Sequence, residues 1–93
     1  MDTEALAPRR KKLYFRSCHR GIKEMDIIFS QFAAAVLKDL PEAELDAYER
    51  LLEIPDTDLF NWATGRIDVP EDAQFPLLER MMRLDYLQTP DVK

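Results

Sequence analysis

Proline and glycine cut this chain into short segments, and that division constrains its fold more than any other feature. The 93 residues contain six prolines and two glycines. Proline is tolerated in a helix only in the first turn, and glycine commonly follows a helix end. The eight breaks are Pro8, Gly21, Pro41, Pro55, Gly65, Pro70, Pro76 and Pro90. The segments between them allow only short helices.

Five of these segments carry apolar residues at helical spacing, over residues 9–18, 24–38, 42–53, 57–64 and 74–88. In the second, Met25, Ile28, Phe29, Phe32 and Val36 follow the i, i+3, i+4, i+7, i+11 pattern of one helix face. No segment indicates a strand. The sequence therefore predicts an all-α fold, a compact five-helix bundle of short helices. The bundle forms one domain over 9–88, with a flexible N-terminus at 1–8 and a frayed C-terminal tail at 89–93.

Several single residues predict where these helices begin and end. Gly21 follows the first helix and is expected to adopt a positive φ. Asp56 is a candidate N-cap of the fourth helix, and Gly65 a candidate C′ residue at its end. Pro76 fits only the first turn of a helix, so the fifth helix is expected to begin near Gln74.

The residue types that catalysis and metal binding need are scarce. One cysteine excludes an internal disulfide, and one histidine with one cysteine cannot supply four zinc ligands. Adjacent positions on a helix point about 100° apart, so Cys18 and His19 make a poor nucleophile–base pair. There is no glycine-rich phosphate loop. We predict a protein that is not an enzyme, with no catalytic, cofactor-binding or metal-binding residues.

No segment is apolar enough for membrane insertion. The most apolar stretch, "IIFSQFAAAVL", covers residues 27–37, whereas a membrane-spanning helix needs about 20 residues. The first residues, "MDTEALAPRRKK", lack the apolar region of a secretory signal. We expect a protein that remains in the compartment where it is made.

Charge is distributed unevenly along the chain. Residues 1–24 carry seven Lys/Arg and three Asp/Glu, a net +4, and residues 25–93 carry six and fifteen, a net −9. The basic part is either a solvated first helix or a polarised docking surface. The acidic majority argues against nucleic acid as the main partner. Tyr14 and Phe15, within "RRKKLYFR", are expected to be core anchors of the first helix.

The segment "RGIKE" is the strongest candidate for a binding surface. The guanidinium of Arg20 suits carboxylates and carbonyl groups. Gly21 has no side chain to hold a partner backbone away, and Glu24 lies about one helical turn further on. These residues could flank one small concave site. The alternative is the start of a helix with an incidental surface pair.

Two longer strings make the segment more specific. "KLYFRSCHRGIKEMD", followed by "LPEAELDAYERLLEIPDTDLFNWATG", resembles the small succinate dehydrogenase assembly factors, which are flavinylation factors. The mark of that family, R-G-x-x-E, is matched by Arg20, Gly21 and Glu24, and an aspartate two positions later by Asp26. A leucine-rich third helix, an acidic turn and an L-F-x-W segment also match. The resemblance covers about residues 11–85.

The resemblance implies a five-helix bundle that binds the flavoprotein subunit of succinate dehydrogenase before that subunit joins its membrane complex. It implies help in attaching FAD covalently to a histidine of the partner, with the fumarate reductase flavoprotein as a related client. The bond forms in the partner, so FAD belongs to the partner and no cofactor is bound stably. The expected location is the bacterial cytoplasm. The expected partner-binding residues are Arg16, Arg20, Gly21, Glu24 and Asp26.

Two other functions fit the same residues. A generic helical protein–protein adaptor would share the exposed surface around Gly21 but have no effect on covalent flavin. A small nucleic-acid-binding regulator would use "RRKK" and bind with an affinity that falls steeply with salt.

Overall fold

The computed structural model describes residues 6–87, which form five α-helices joined by short connections. They are α1 (Pro8–Cys18), α2 (Lys23–Val36), α3 (Leu45–Glu53), α4 (Asp56–Ala63) and α5 (Pro76–Met82). Single 3₁₀ turns cover Glu42–Glu44 and Glu71–Ala73. Residues 6–87 contain no strand, so the predicted all-α five-helix fold is confirmed. The predicted tail at 89–93 and most of the N-terminus at 1–8 lie outside the described residues.

Prolines mark the beginnings of three helices. Pro8 and Pro76 are the first residues of α1 and α5, and Pro55 directly precedes α4. Proline costs nothing there, because the first N–H groups of a helix have no partner within it. At the other end of α4, Gly65 follows the C-cap Thr64 and has a φ of 78°, as predicted.

The fifth helix is shorter than the predicted 74–88. Phe75 is extended, with φ −154° and ψ 161°, because the residue before a proline is disfavoured in the helical region. The helix therefore begins at Pro76 and not at Gln74. Leu84 has a φ of 57°, and this left-handed conformation follows the helix end at Met82 and prevents its continuation.

Three other predicted boundaries were wrong. Pro41 has a ψ of 145° and precedes a 3₁₀ turn, so α3 begins at Leu45 and not at residue 42. The second helix ends at Val36 and not at residue 38. Asp56 is the first residue of α4 and not its N-cap, because the extended Pro55 occupies the capping position.

The core is built around α2, which packs against α1 and α4 while α3 packs against α1 and α5. Met25, Phe29, Phe32 and Val36 of the predicted stripe are buried, whereas Ile28 is half-buried. Burial of an apolar side chain of this size stabilises a fold by about 1.5–3 kcal/mol. The same apolar face that predicted the helix therefore holds it in the bundle.

Tyr48 of α3 crosses this core and carries a polar group into it. Its ring stacks on Phe32 with an interplanar angle of 7° and meets the edge of Phe29 at a centroid distance of 5.8 Å. The hydroxyl lies 2.7 Å from Oγ of Ser17, which donates to the carbonyl of Leu13 at 2.8 Å. Both buried hydroxyls are thereby hydrogen-bonded, as buried polar groups need to be.

We expect Tyr48→Phe to lower the free energy of unfolding by about 1 kcal/mol near pH 7, since one buried hydrogen bond is lost and the ring remains. Burial raises the pKa of Tyr48, so the folded phenol stays protonated while the unfolded one ionises near pH 10. The stability from this effect is present below about pH 10 and is lost as the pH rises further. Urea denaturation between pH 7 and 11 measures both effects. If the free energy of unfolding of the variant fell as steeply above pH 10 as that of the wild type, the expected effect of pH would be contradicted.

Candidate functional site

The bend between α1 and α2 is the site that the sequence singled out, and two carboxylates hold its backbone. It covers residues 19–22, from the end of α1 to the start of α2. The N–H of Arg20 donates to Oδ1 of Asp26, in the first turn of α2, at 2.5 Å. The N–H of Gly21 donates to Oδ2 of Asp56, the first residue of α4, at 2.5 Å. Two successive amides of the bend are therefore bound by side chains from two different helices.

The guanidinium of Arg20 points into the molecule. Its Nε donates to Oδ1 of Asp56 at 2.6 Å, and Nη1 and Nη2 donate to the carbonyls of Leu52 and Ile54 at 3.0 and 2.9 Å. The guanidinium carbon lies 4.9 Å from the ring centroid of Phe29. These contacts satisfy carbonyl groups at the end of α3 that have no partner within the helix. Arg20 thus ties the bend to the junction of α3 and α4.

The Arg20–Asp56 ion pair is largely shielded from water. The side chains are 11% and 14% exposed, whereas the pairs of Arg9 with Asp46 and of Arg16 with Glu53 lie at the surface. A surface ion pair contributes about 0–1 kcal/mol, but loss of one partner of a buried pair costs about 3–5 kcal/mol. Asp56 is also well placed electrostatically, because the N-terminus of a helix favours negative charge.

The carboxylate of Asp56 also explains why residue 21 is a glycine. Its φ is not positive, so the predicted left-handed turn was wrong. A Cβ at this position would lie 3.3 Å from Oδ2 of Asp56, and that oxygen is held by the hydrogen bond it accepts from Gly21 itself. Glycine fits this position because a Cβ would crowd that oxygen, and the group that approaches it is a carboxylate of the same chain.

The five predicted partner-binding residues differ in whether they are engaged within the chain. The side chains of Arg20 and Asp26 are half-buried and engaged within the chain, while Gly21 and Glu24 are exposed. Arg16 is exposed and lies 3.6 Å from Glu53. The carboxylate of Glu24 forms no hydrogen bond or ion pair with any of residues 6–87. Their role in partner binding stays a prediction, but the structure presents Gly21 and Glu24 outward on a bend that Arg20 and Asp26 hold.

Asp56 is the residue of this site that sequence reasoning missed. Its position at the start of α4 suggested a capping role, and its partner Arg20 lies 36 positions earlier in the chain. The residues around Asp56 do not identify Arg20 as its partner. The string "LLEIPD" is the local pattern that could have drawn attention to Asp56. An acidic residue at the junction of two helices can reach a neighbouring bend.

The rest of α1 corrects one expectation. Phe15 is 48% exposed and is not a core anchor, whereas Tyr14 packs partly against the core. Cys18 is half-buried, and the exposed His19 donates from Nδ1 to the carbonyl of Phe15 at 2.7 Å.

Within residues 6–87, no three His, Cys, Asp or Glu side chains come together as metal ligands. None of the helices in that range has the length and apolar character required to span a membrane.

Comparison with known proteins identifies a family. Residues 11–85 match the model of the family described as Sdh5, flavinator of succinate dehydrogenase. The matched range includes the bend and Asp56. Over 77 residues the chain is 42% identical to the FAD assembly factor SdhE of Acetobacter pasteurianus, covering 83% of this chain and 71% of that protein.

Two fungal relatives bear the name succinate dehydrogenase assembly factor 2, mitochondrial. The chain is 46% identical to that of Scheffersomyces stipitis over 68 residues, or 73% of this chain and 46% of the relative. It is 35% identical to that of Yarrowia lipolytica over 99 aligned positions, or 96% of this chain and 68% of the relative. The chain thus spans less than half the length of the Scheffersomyces stipitis protein.

Proposed function

The chain belongs to the Sdh5 family of succinate dehydrogenase flavinators, and we propose that it binds the flavoprotein subunit of that enzyme and promotes covalent attachment of FAD to it. The match from residue 11 to residue 85 carries this proposal, because it includes the whole bend and the ion pair that holds it. The similarity to an FAD assembly factor supports the same conclusion.

The bend contributes a docking surface in this proposal. Glu24 offers an exposed carboxylate without a hydrogen-bond or ion-pair partner among residues 6–87, and the exposed Gly21 lies beside it on the bend. Arg20 and Asp56 keep the two in one arrangement, so little conformational entropy is lost when the partner binds. The surface docks near the FAD cleft of the flavoprotein, where Glu24 accepts a hydrogen bond from the partner.

The chain acts by positioning and does not catalyse a reaction of its own. Docking holds the domains of the flavoprotein so that its histidine lies against the flavin, and the covalent bond forms within the partner. Correct placement of two reacting groups can supply several kcal/mol of a barrier. FAD therefore remains a group of the partner. The fumarate reductase flavoprotein is a second proposed client, and the proposed site of action is the bacterial cytoplasm, before the flavoprotein reaches its membrane complex.

Deletion of the gene tests the proposal directly. We expect the covalent flavin fluorescence of one large protein band to disappear from denaturing gels of cell lysate, and to return when the gene is restored. Growth conditions that favour succinate dehydrogenase or fumarate reductase distinguish the two clients. Unchanged fluorescence under both conditions would contradict the proposal and favour a generic adaptor. Salt-sensitive binding to DNA or RNA in a filter assay would favour the nucleic-acid alternative.

A further inference from the structure

Phe15 is an aromatic side chain on the outside of α1, in a position that packing does not explain. Three large apolar side chains among residues 6–87 are exposed, namely Phe15 at 48%, Ile27 at 48% and Ile67 at 52%. Phe15 lines an open hollow of about 460 Å³ together with Arg16, His19 and Arg20. The ring therefore borders the bend that presents Gly21, and the two form one continuous surface.

The cations of α1 separate into those with internal partners and those without. Arg9 and Arg16 pair with carboxylates of α3, and Arg10 donates to the carbonyls of Leu37 and Leu40 at 2.7 and 2.6 Å. Three of the basic residues thus serve the fold. The positive charge that remains available to another molecule lies elsewhere on the helix.

Lys11 and Lys12 carry that available charge. Neither forms an ion pair with any of residues 6–87, and with Pro8 they line a second open hollow on the other side of Phe15. The exposed aromatic ring thus borders two lysines that have no counter-ion within the described range of 6–87. We call these three residues, Lys11, Lys12 and Phe15, the outer face of α1.

We infer that the outer face of α1 docks on an acidic patch of the flavoprotein partner, with the Phe15 ring inserted into an apolar recess of that patch. The inference rests on the proposed function, since it names a further contact of the same complex. Large aromatic side chains buried at an interface provide much of its binding free energy. Unpaired charges around them increase the rate of encounter and set the orientation of the two proteins.

The small exposed apolar area of α1 favours an acidic protein over an anionic membrane as the occupant. A helix that lies on a lipid surface needs a broad apolar face, and α1 exposes a single large apolar side chain among the described residues while its other apolar face is buried in the core. One ring beside two cations suits a localised recess on a protein.

Binding of purified variants to the purified flavoprotein subunit tests the inference. We expect Phe15→Ala to raise the Kd about thirtyfold. Ile67→Ala is the matched control, because Ile67 is as exposed as Phe15. Ile67 follows the C-terminal end of α4, whereas the N-terminal end of that helix contacts the bend. We expect it to change the Kd by less than about twofold. Lys11→Gln combined with Lys12→Gln should slow association at low ionic strength, and the difference should shrink in concentrated salt.

The outcomes separate this inference from the proposed function. If the wild-type chain fails to bind the flavoprotein, the proposed function is wrong, and the inference with it. If the wild type binds but Phe15→Ala binds as tightly as Ile67→Ala, only the inference is overturned. Sedimentation with phosphatidylglycerol vesicles is the last comparison, and vesicle binding that Phe15→Ala abolishes would assign the face to a membrane. Matching circular dichroism melting midpoints show that each variant is folded.

Discussion

Replacing Asp56 with asparagine is expected to lower the free energy of unfolding by about 3 kcal/mol, a large part of the stability of a domain of this size. The substitution keeps the shape of the side chain and removes its charge. Arg20 would then retain a shielded guanidinium without a counter-ion. Asp56 accepts hydrogen bonds from Nε of Arg20 and from the N–H of Gly21. In the variant, one of these two donors would face the NH₂ group of the asparagine.

Urea denaturation at pH 7 measures this effect, and Asp58→Asn provides its control. Asp58 lies in the same first turn of α4 and is exposed. Its substitution removes only a favourable interaction with the helix dipole, worth about 0.3–1 kcal/mol. Equal losses of stability in the two variants would show that the ion pair with Arg20 does not hold the bend.

Replacing Glu24 with lysine is expected to lower the rate of covalent flavin attachment about thirtyfold while the fold remains intact. Glu24 is exposed in the first turn of α2. Reversal of its charge therefore breaks no contact among residues 6–87. It would place an ammonium group, which has no acceptor, where the flavoprotein is proposed to offer a hydrogen-bond donor, so that hydrogen bond could not form.

A time course with purified flavoprotein subunit, FAD and the chain measures the rate, with covalent flavin followed by gel fluorescence. Glu79→Lys is the matched control, because Glu79 is an exposed glutamate in the first turn of α5 and reversal has the same unfavourable effect on a helix dipole. We expect Glu79→Lys to act like the wild type. If the Glu24 variant supports flavin attachment at the rate of the Glu79 variant, the carboxylate of Glu24 has no part in docking.

These two predictions separate the residues that hold the bend from the residues that the bend presents. In the extended string "RGIKEMD", Arg20 and Asp26 turn inward and organise the bend, while Gly21 and Glu24 remain outside. Loss of an organising residue should reduce stability and binding together. Loss of an outward residue should reduce binding alone.

The fold was predictable because its main signals are local. Pro8, Pro55 and Pro76 stand at helix starts, and the stripe from Met25 to Val36 predicts a buried face through its spacing alone. The same reliance on local signals placed the end of α5 wrongly. The end of α5 depends on the left-handed Leu84, a residue type that rarely adopts this conformation. The sequence of α5 therefore indicated a helix that continues beyond Met82.

The site was less predictable because its contacts join distant parts of the chain. Asp56 binds Arg20 across 36 positions, and sequence spacing carries no information about such a pair. The consecutive apolar residues Leu13, Tyr14 and Phe15 cannot all face the core of one helix, and only packing decides that Leu13 is buried and Phe15 exposed. The motif itself could be found by resemblance, while the direction of each side chain could not.

Hydrogen exchange of the chain, alone and in complex with the purified flavoprotein subunit, tests most directly whether the bend and the outer face of α1 form the docking surface. The amides of residues 10–27 should exchange more slowly in the complex, and those of residues 65–82 should exchange at the same rate as in the free chain. Slower exchange confined to residues 65–82, with residues 10–27 unchanged, would contradict it.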